Sequence, residues 1–258
     1  MKAGANTLWY PTFPSYTGPD TAANGWLAYQ CDTSIAGEWF AHPSSSPQYT
    51  ASEAVDLYGL QCIGAGAGLI VNLPPSIRGV VEPEFTNWAK DFSAEWHRRF
   101  GTAVASNMSA SVSTRLGPDV ERGSIVAELL PGHSAVDYII IKEDLRFGQR
   151  VAAWVLEALL DSKWIRIGAG GTIGTARIVH IKHDAFTPGL LCEEVWDARA
   201  RRAACANTSA PLPSWQYTWP SLLPGVRAVR FRPTVSVAPD GLVHIAELSA
   251  FNSNASVF

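Results

Sequence analysis

The residues of this chain best equipped for chemistry are few and scattered. Asn72 lies near the end of the run Leu69–Leu73, just before Pro74 and Pro75, so a polar amide stands at the end of a buried strand with a rigid exit behind it. His180 and His183, in RIVHIKHD, lie three apart; on an extended strand they point to opposite faces, poor geometry for a metal, and they read as a surface pair. Cys31, Cys62, Cys192 and Cys205 have neither the CxxC spacing of a metal or redox site nor the density of a disulfide scaffold. Gly64, Gly66 and Gly68 precede a strand, whereas a dinucleotide-binding turn must follow one and open a helix. Gly168, Gly170, Gly171 and Gly174 do follow a strand, but ARIVHI after them is another strand, which makes the cluster a hairpin connection. No metal, nucleotide or other cofactor is implied.

These groups need elements to position them. Glu53–Cys62 reads as a short helix, Leu69–Leu73 as a strand and Glu84–Phe100 as a helix, whose Phe85, Trp88, Phe92 and Trp96 recur at steps of three and four and form a core-facing stripe. Helix, glycine turn and a single buried strand ending in Asn72 is the way a (β/α) barrel builds its active face, because functional groups sit at the carboxyl ends of its strands. After Gly101 the pattern changes to short β-type runs, SIVAELL, AVDYIII, RVAAWVLEALL, KWIRIG, ARIVHI, VRAVRF and LVHIAEL, with turns between them. That series predicts an antiparallel sandwich. Ala and Leu in RVAAWVLEALL also suit a helix, and the alternation of Val151, Ala153, Val155 and Glu157 with bulkier residues favours a strand. About 190–224, rich in Ala, Arg, Pro and Ser, reads as an inserted loop.

Composition narrows the function classes. The chain has 258 residues, 47% of them hydrophobic and 17% charged, enough for one good core or two modest ones. A net charge of -3 and a pI near 6.1 leave no basic footprint for nucleic acid. There is no apolar stretch long enough to span a bilayer, and the first residues lack the charged head and apolar run of a signal peptide. Asn107, Asn207 and Asn254 head glycosylation-type triplets that suit a secreted chain but also arise by chance, so the compartment stays open.

Four blocks carry a resemblance. WLAYQCDTSIAGEWFAH, residues 26–42, resembles a segment of the α-L-fucosidases of glycoside hydrolase family 29, with Trp26, Cys31, Asp32, Ser34, Ile35, Trp39, Phe40 and His42 in register. AVDLYGLQCIGAGAGLIVNLPPSIRG is similar to that family's helix and strand ending in Asn and two prolines, and FTNWAKDFSAEWHRRFGT to its last barrel helix. IIIKEDLRFGQRVAAWVLEA followed by KWIRIGAGGTIGTARI resembles the family's C-terminal sandwich motifs.

The resemblance implies an α/β plus all-β chain: residues 1–100 the C-terminal part of a (β/α)8 TIM barrel, residues 101–258 an antiparallel, galactose-binding-like β-sandwich. It implies a retaining glycosidase that releases terminal α-L-fucose from fucosylated oligosaccharides or glycoconjugates, without nucleic acid or membrane as partner. The parent family suits an extracellular or lysosome-like compartment. Such chemistry needs two carboxyl groups about 5 to 5.5 Å apart, one to attack and one to shuttle the proton. The family's acid/base glutamate aligns with Gln30, whose amide has no proton to deliver. Asp20 sits in a turn too close to Trp26 to be the nucleophile, and Glu38 stands where the family has glycine. Asp32 suits a structural part, satisfying local backbone donors with Thr33 and Ser34. Trp39 and His42 match positions at the site edge, as sugar contacts or as barrel packing, and Asn72 either touches ligand or holds its exit loop. The expectation is a truncated copy that is inactive alone, with a non-catalytic carbohydrate-binding sandwich or a remnant without ligand as the alternatives.

Overall fold

The computed structural model describes residues 30–107, 112–115, 123–181, 193–197, 202–206 and 223–253. Its first strand, β1 (Gln30–Ser34), lies parallel to β2 (Gly68–Asn72), with Gln30 opposite Gly68 and Ser34 opposite Asn72. Between them runs helix α1 (Ala51–Ala54), which Thr50 and Glu53 cap reciprocally and which widens by one residue per turn over Val55–Leu60. Gly59 is needed there because a Cβ would meet the Trp96 ring at 2.7 Å. Gly66 then turns the chain at φ +90, and a side chain on it would strike the Ile173 carbonyl at 2.7 Å.

Helix α2 (Pro83–Phe100) begins with proline in its first turn, Glu84 beside it, and ends on His97, Arg98 and Arg99, which matches the helix dipole at both ends. Its predicted aromatic stripe is a ladder of rings. Trp88 and Phe92 are 5.4 Å apart, Phe92 and Trp96 6.5 Å, Trp96 and Phe100 4.7 Å, and Phe100 meets Tyr138 at 5.1 Å. One end of the ladder packs with Cys31, Ile35, Ala54, Tyr58 and Phe85 under β1 and β2. The other packs with Tyr138, Ile140, Ile178 and Phe251.

The rest is mostly antiparallel sheet. One sheet has the order β10 (Arg177–His180), β7 (Tyr138–Glu143), β15 (Leu242–Phe251), β3 (Ala103–Asn107), with β4 (Val112–Arg115) also on β15. The second has β5 (Ile125–Glu128), β14 (Val226–Ser236), β8 (Val151–Leu160), β9 (Lys163–Gly170). Ile139, Ile141, Leu248 and Ala250 from the first and Leu156, Ala158, Val229 and Phe231 from the second share one core, the burial that drives two sheets face to face. A short pair joins β6 (Ala135–Val136) to β13 (Leu223–Pro224).

Several sequence expectations change. RVAAWVLEALL is strand β8, as its alternation favours. The glycine cluster at 168–174 is not a hairpin connection: β9 pairs with β8 and β10 with β7, so the chain crosses there from one sheet to the other. His180 is buried and stacks on Tyr138 at 4.3 Å, because β10 is covered by the helical layer, so it is no surface residue; His183 lies outside the described residues. The stretch taken as an inserted loop contains an antiparallel hairpin, β11 (Glu193–Asp197) with β12 (Arg202–Ala206). Cys31 and Cys62 form a disulfide that fastens β1 to the end of the helical segment, a pairing that no spacing pattern announced.

Candidate functional site at the strand ends

Both parallel strands run toward the same end, and the polar groups converge there. Asn72, last in β2, donates from Nδ2 to Ser34 Oγ at 3.1 Å and to the Trp39 carbonyl at 3.1 Å. One amide thus ties the end of β1 to the loop that follows it. Ser34 Oγ in turn donates to the Glu38 carbonyl, and Gly37, at φ +81, makes the tight turn between them. The exit of β2 is fastened to the same loop, since the Ala41 amide donates to the Pro75 carbonyl at 3.0 Å.

On this frame sit the groups able to meet a ligand. Glu38 accepts from Ser45 Oγ and lies 3.4 Å from His42 Nε2, while the His42 amide donates to Ser45 Oγ at 2.7 Å. Trp39 is 55% exposed and Phe40 69% exposed, and Ile77, Val80 and Val81 in the turn after Pro75 add further exposed apolar surface. The arrangement is an aromatic rim beside a carboxylate–imidazole pair and an amide. Aromatic faces with a few fixed polar groups are the elements of a small-molecule contact.

Of the residues singled out in the sequence, Asn72 bonds the backbone carbonyl of Trp39, and His42 lies three residues further along the same loop. Gln30 stands apart, at the start of β1 and about 13 Å of strand before Ser34. Beneath the strands, Thr33 and Tyr58 are both buried, and burial pushes the Tyr58 hydroxyl up. Sequence reasoning missed both Ser45 and the Glu38–His42 pair; the four-residue separation of Glu38 and His42 is the one signal that could have suggested the pair. Asp20 lies outside the described residues. Among the described residues, no group of three His, Cys, Asp or Glu could hold a metal ion, and no helix is long and apolar enough to cross a membrane.

Comparison with known proteins gives this geometry a family context. Alpha-L-fucosidase 1 of Arabidopsis thaliana is 25% identical over 193 residues, which is 65% of this chain and 38% of that protein. A protein of Oryza sativa subsp. japonica, provisionally named alpha-L-fucosidase 1, is 29% identical over 182 residues, 62% of this chain and 35% of its own length. The chain is similar to part of the alpha-L-fucosidases. Solved fucosidase structures have the same fold. That of a Ruminococcus gnavus fucosidase of glycoside hydrolase family 29, in complex with fucose, superposes with a TM-score of 0.58 at 18% identity, covering 89% of this chain and 42% of that one. A fucosidase-type structure from Bacteroides ovatus gives 0.63 at 22% identity, covering 90% and 31%. No protein-family model matches the chain. The fucosidase-like chain therefore spans little more than a third of the length of the curated relatives it matches.

Proposed function

We propose that this chain is the fucose-facing, C-terminal part of an α-L-fucosidase-type retaining glycoside hydrolase, acting on terminal α-L-fucose of oligosaccharides or glycoconjugates. Residues 1–100 belong, in this reading, to a (β/α)8 barrel, and residues 101–258 to a galactose-binding-like sandwich. The observation that carries it is Asn72, which joins the carboxyl ends of two parallel strands to the loop bearing Trp39 and His42, where barrel enzymes place their ligands. Trp39 supplies a face for the sugar ring, and His42 and Asn72 supply hydrogen bonds to its hydroxyls. The Cys31–Cys62 disulfide supports an oxidising, extracellular or lysosome-like compartment.

Retention requires two carboxyl groups at short separation, and the amide of Gln30 cannot act as the acid. The chain by itself therefore binds a fucoside without cleaving it. An aryl α-L-fucoside offered to the purified chain should bind saturably and release no measurable phenol. Absence of binding would overturn the fucoside reading, and turnover abolished by Gln30→Ala would overturn the assignment of Gln30 as a silent position.

A further inference from the structure

Along β7 the side chains of Ile139 and Ile141 enter the core shared by the two sheets, and Glu143, two residues further on, falls on the same face. A carboxyl therefore ends a row of isoleucines, only 4% exposed and opposite Ile245 on β15. One of its oxygens, Oε1, accepts from the amides of Arg150 and Val151, and Val151 is the first residue of β8 in the facing sheet. The other, Oε2, has no hydrogen-bond partner among the described residues, although the Gly174 amide lies near enough to the carboxyl to favour its charge. An ionised carboxylate in such a place needs a cation beside it.

The cations around it are engaged elsewhere. Arg150 sends its guanidinium to Asp240, at 3.1 and 3.3 Å, and to the Phe147 and Leu242 carbonyls. Arg146 pairs with Asp144, and Lys142, on the other face of β7, pairs with Glu247 of β15. Arg177 of β10 donates from Nε to the Thr172 carbonyl, and the His244 ring of β15 stacks on Phe147. Burial outweighs the three amides and the through-space attraction of Arg150, and pushes the Glu143 carboxyl up to about 7.

This corner reaches beyond two strand ends. Gly174 belongs to the crossing 171–176 between β9 and β10, which also meets the turn leading into β2. Thr175 Oγ1 donates to the Gly66 carbonyl at 2.9 Å, and the Ile173 carbonyl leaves no room for a side chain on Gly66. The crossing is thus held between Glu143 and Gly66.

We propose that Glu143 is a proton-operated clamp: protonated, it holds the ends of β7 and β8 and the crossing 171–176 against Gly66, and deprotonated, it draws water into this corner and loosens the turn into β2. The folded state keeps a proton that the unfolded chain has released, so the clamp is closed in acid and opens as pH rises through about 7. It acts whatever the strand ends bind.

Hydrogen–deuterium exchange of the full chain at pH 5 and pH 8, with rates corrected for the chemical dependence of exchange on pH, reads the clamp without any ligand. Protection of the amides in 143–151, 171–176 and 66–72 should fall about tenfold or more between the two pH values, while the paired centres of β8 and β14 stay protected. Glu143→Gln, which has no proton to lose, should remove most of that fall in all three segments. A titration of the intact chain followed by 13C signals of its glutamate carboxyls should show one of them changing charge near neutrality, over the range in which protection is lost; this readout serves even where the variant does not fold. Unchanged protection of 66–72 in the intact chain, a fall that persists in Glu143→Gln, equal loss at the centres of β8 and β14, or no glutamate titrating near neutrality would each overturn the clamp.

Discussion

Two bonds from one amide hold the rim of the candidate site. Asn72 reaches Ser34 and the Trp39 carbonyl, so Asn72→Ala should lower unfolding stability by about 1 to 2 kcal/mol in urea titration, and weaken fucose binding more than that loss alone would through misplacement of Trp39. The sequence marked the position of Asn72, a polar residue near the end of an apolar run before two prolines, and left open whether it meets ligand or holds backbone; its bonds to Ser34 and the Trp39 carbonyl show backbone being held. The Glu38–Ser45–His42 contacts were not, since Ser45 belongs to no regular element and its position depends on the path of a whole loop. A second residue sets a pH dependence. Glu143 is buried and accepts from the amides of Arg150 and Val151, but burial dominates and pushes its carboxyl up to about 7. The folded state then holds a proton that the unfolded chain has released, so its contribution is full below about pH 4.5 and is lost as pH rises through about 7. The sheets should be less stable at pH 8 than at pH 5 from this group, by up to about 3 kcal/mol, and Glu143→Gln should flatten that difference in denaturation curves measured at the two pH values.

At the scale of elements, local pattern was a good guide and non-local pairing was not. Helix α2 declares itself through its proline start, basic end and aromatic stripe, and β8 through alternation that outweighs its Ala and Leu content. The crossing from β9 to β10 between sheets depends on which strand each one pairs with, information carried by distant residues. The disulfide was hidden for the same reason, as 31 residues separate its cysteines with no repeat to relate them. It closes the loop that contains the whole helical segment between β1 and β2. Replacing both cysteines by alanine should cost about 3 to 4 kcal/mol on the chain-entropy estimate for a loop of that length, read as a lower urea midpoint. The loss should appear in a probe of the Tyr58 and Trp88 region before it appears in the facing sheets.

For the molecule as a whole, a polar knot and a ring stack are among the links that join the parallel pair and its helices to the antiparallel sheets in the described residues. Arg99, only 5% exposed, bonds Glu95 at 2.7 Å, Asp56, the Ser52 hydroxyl at 2.8 Å and the Tyr138 hydroxyl at 3.1 Å. It therefore links both helices to β7, and the Arg98 and Arg99 contacts draw the Glu95 carboxyl down to about 2 despite desolvation. Thr175 adds a bond of 2.9 Å to the Gly66 carbonyl at the start of the turn into β2. Arg99→Ala should cost about 2 to 4 kcal/mol, somewhat below the range for a wholly buried network because Asp56 reaches solvent, and should broaden the unfolding transition as the two parts lose their coupling. On the proposed fucose-facing reading, the sheets take part in recognition by helping to hold the turn that leads into β2 and its terminal Asn72. The most direct test of that recognition is a calorimetric titration of L-fucose into the intact chain and into Trp39→Ala. Saturable binding to the intact chain, lost or weakened about tenfold in the variant as stacking on the ring face is removed, is the expected result; no saturable binding, or binding indifferent to Trp39, would contradict a fucose-facing site at these strand ends.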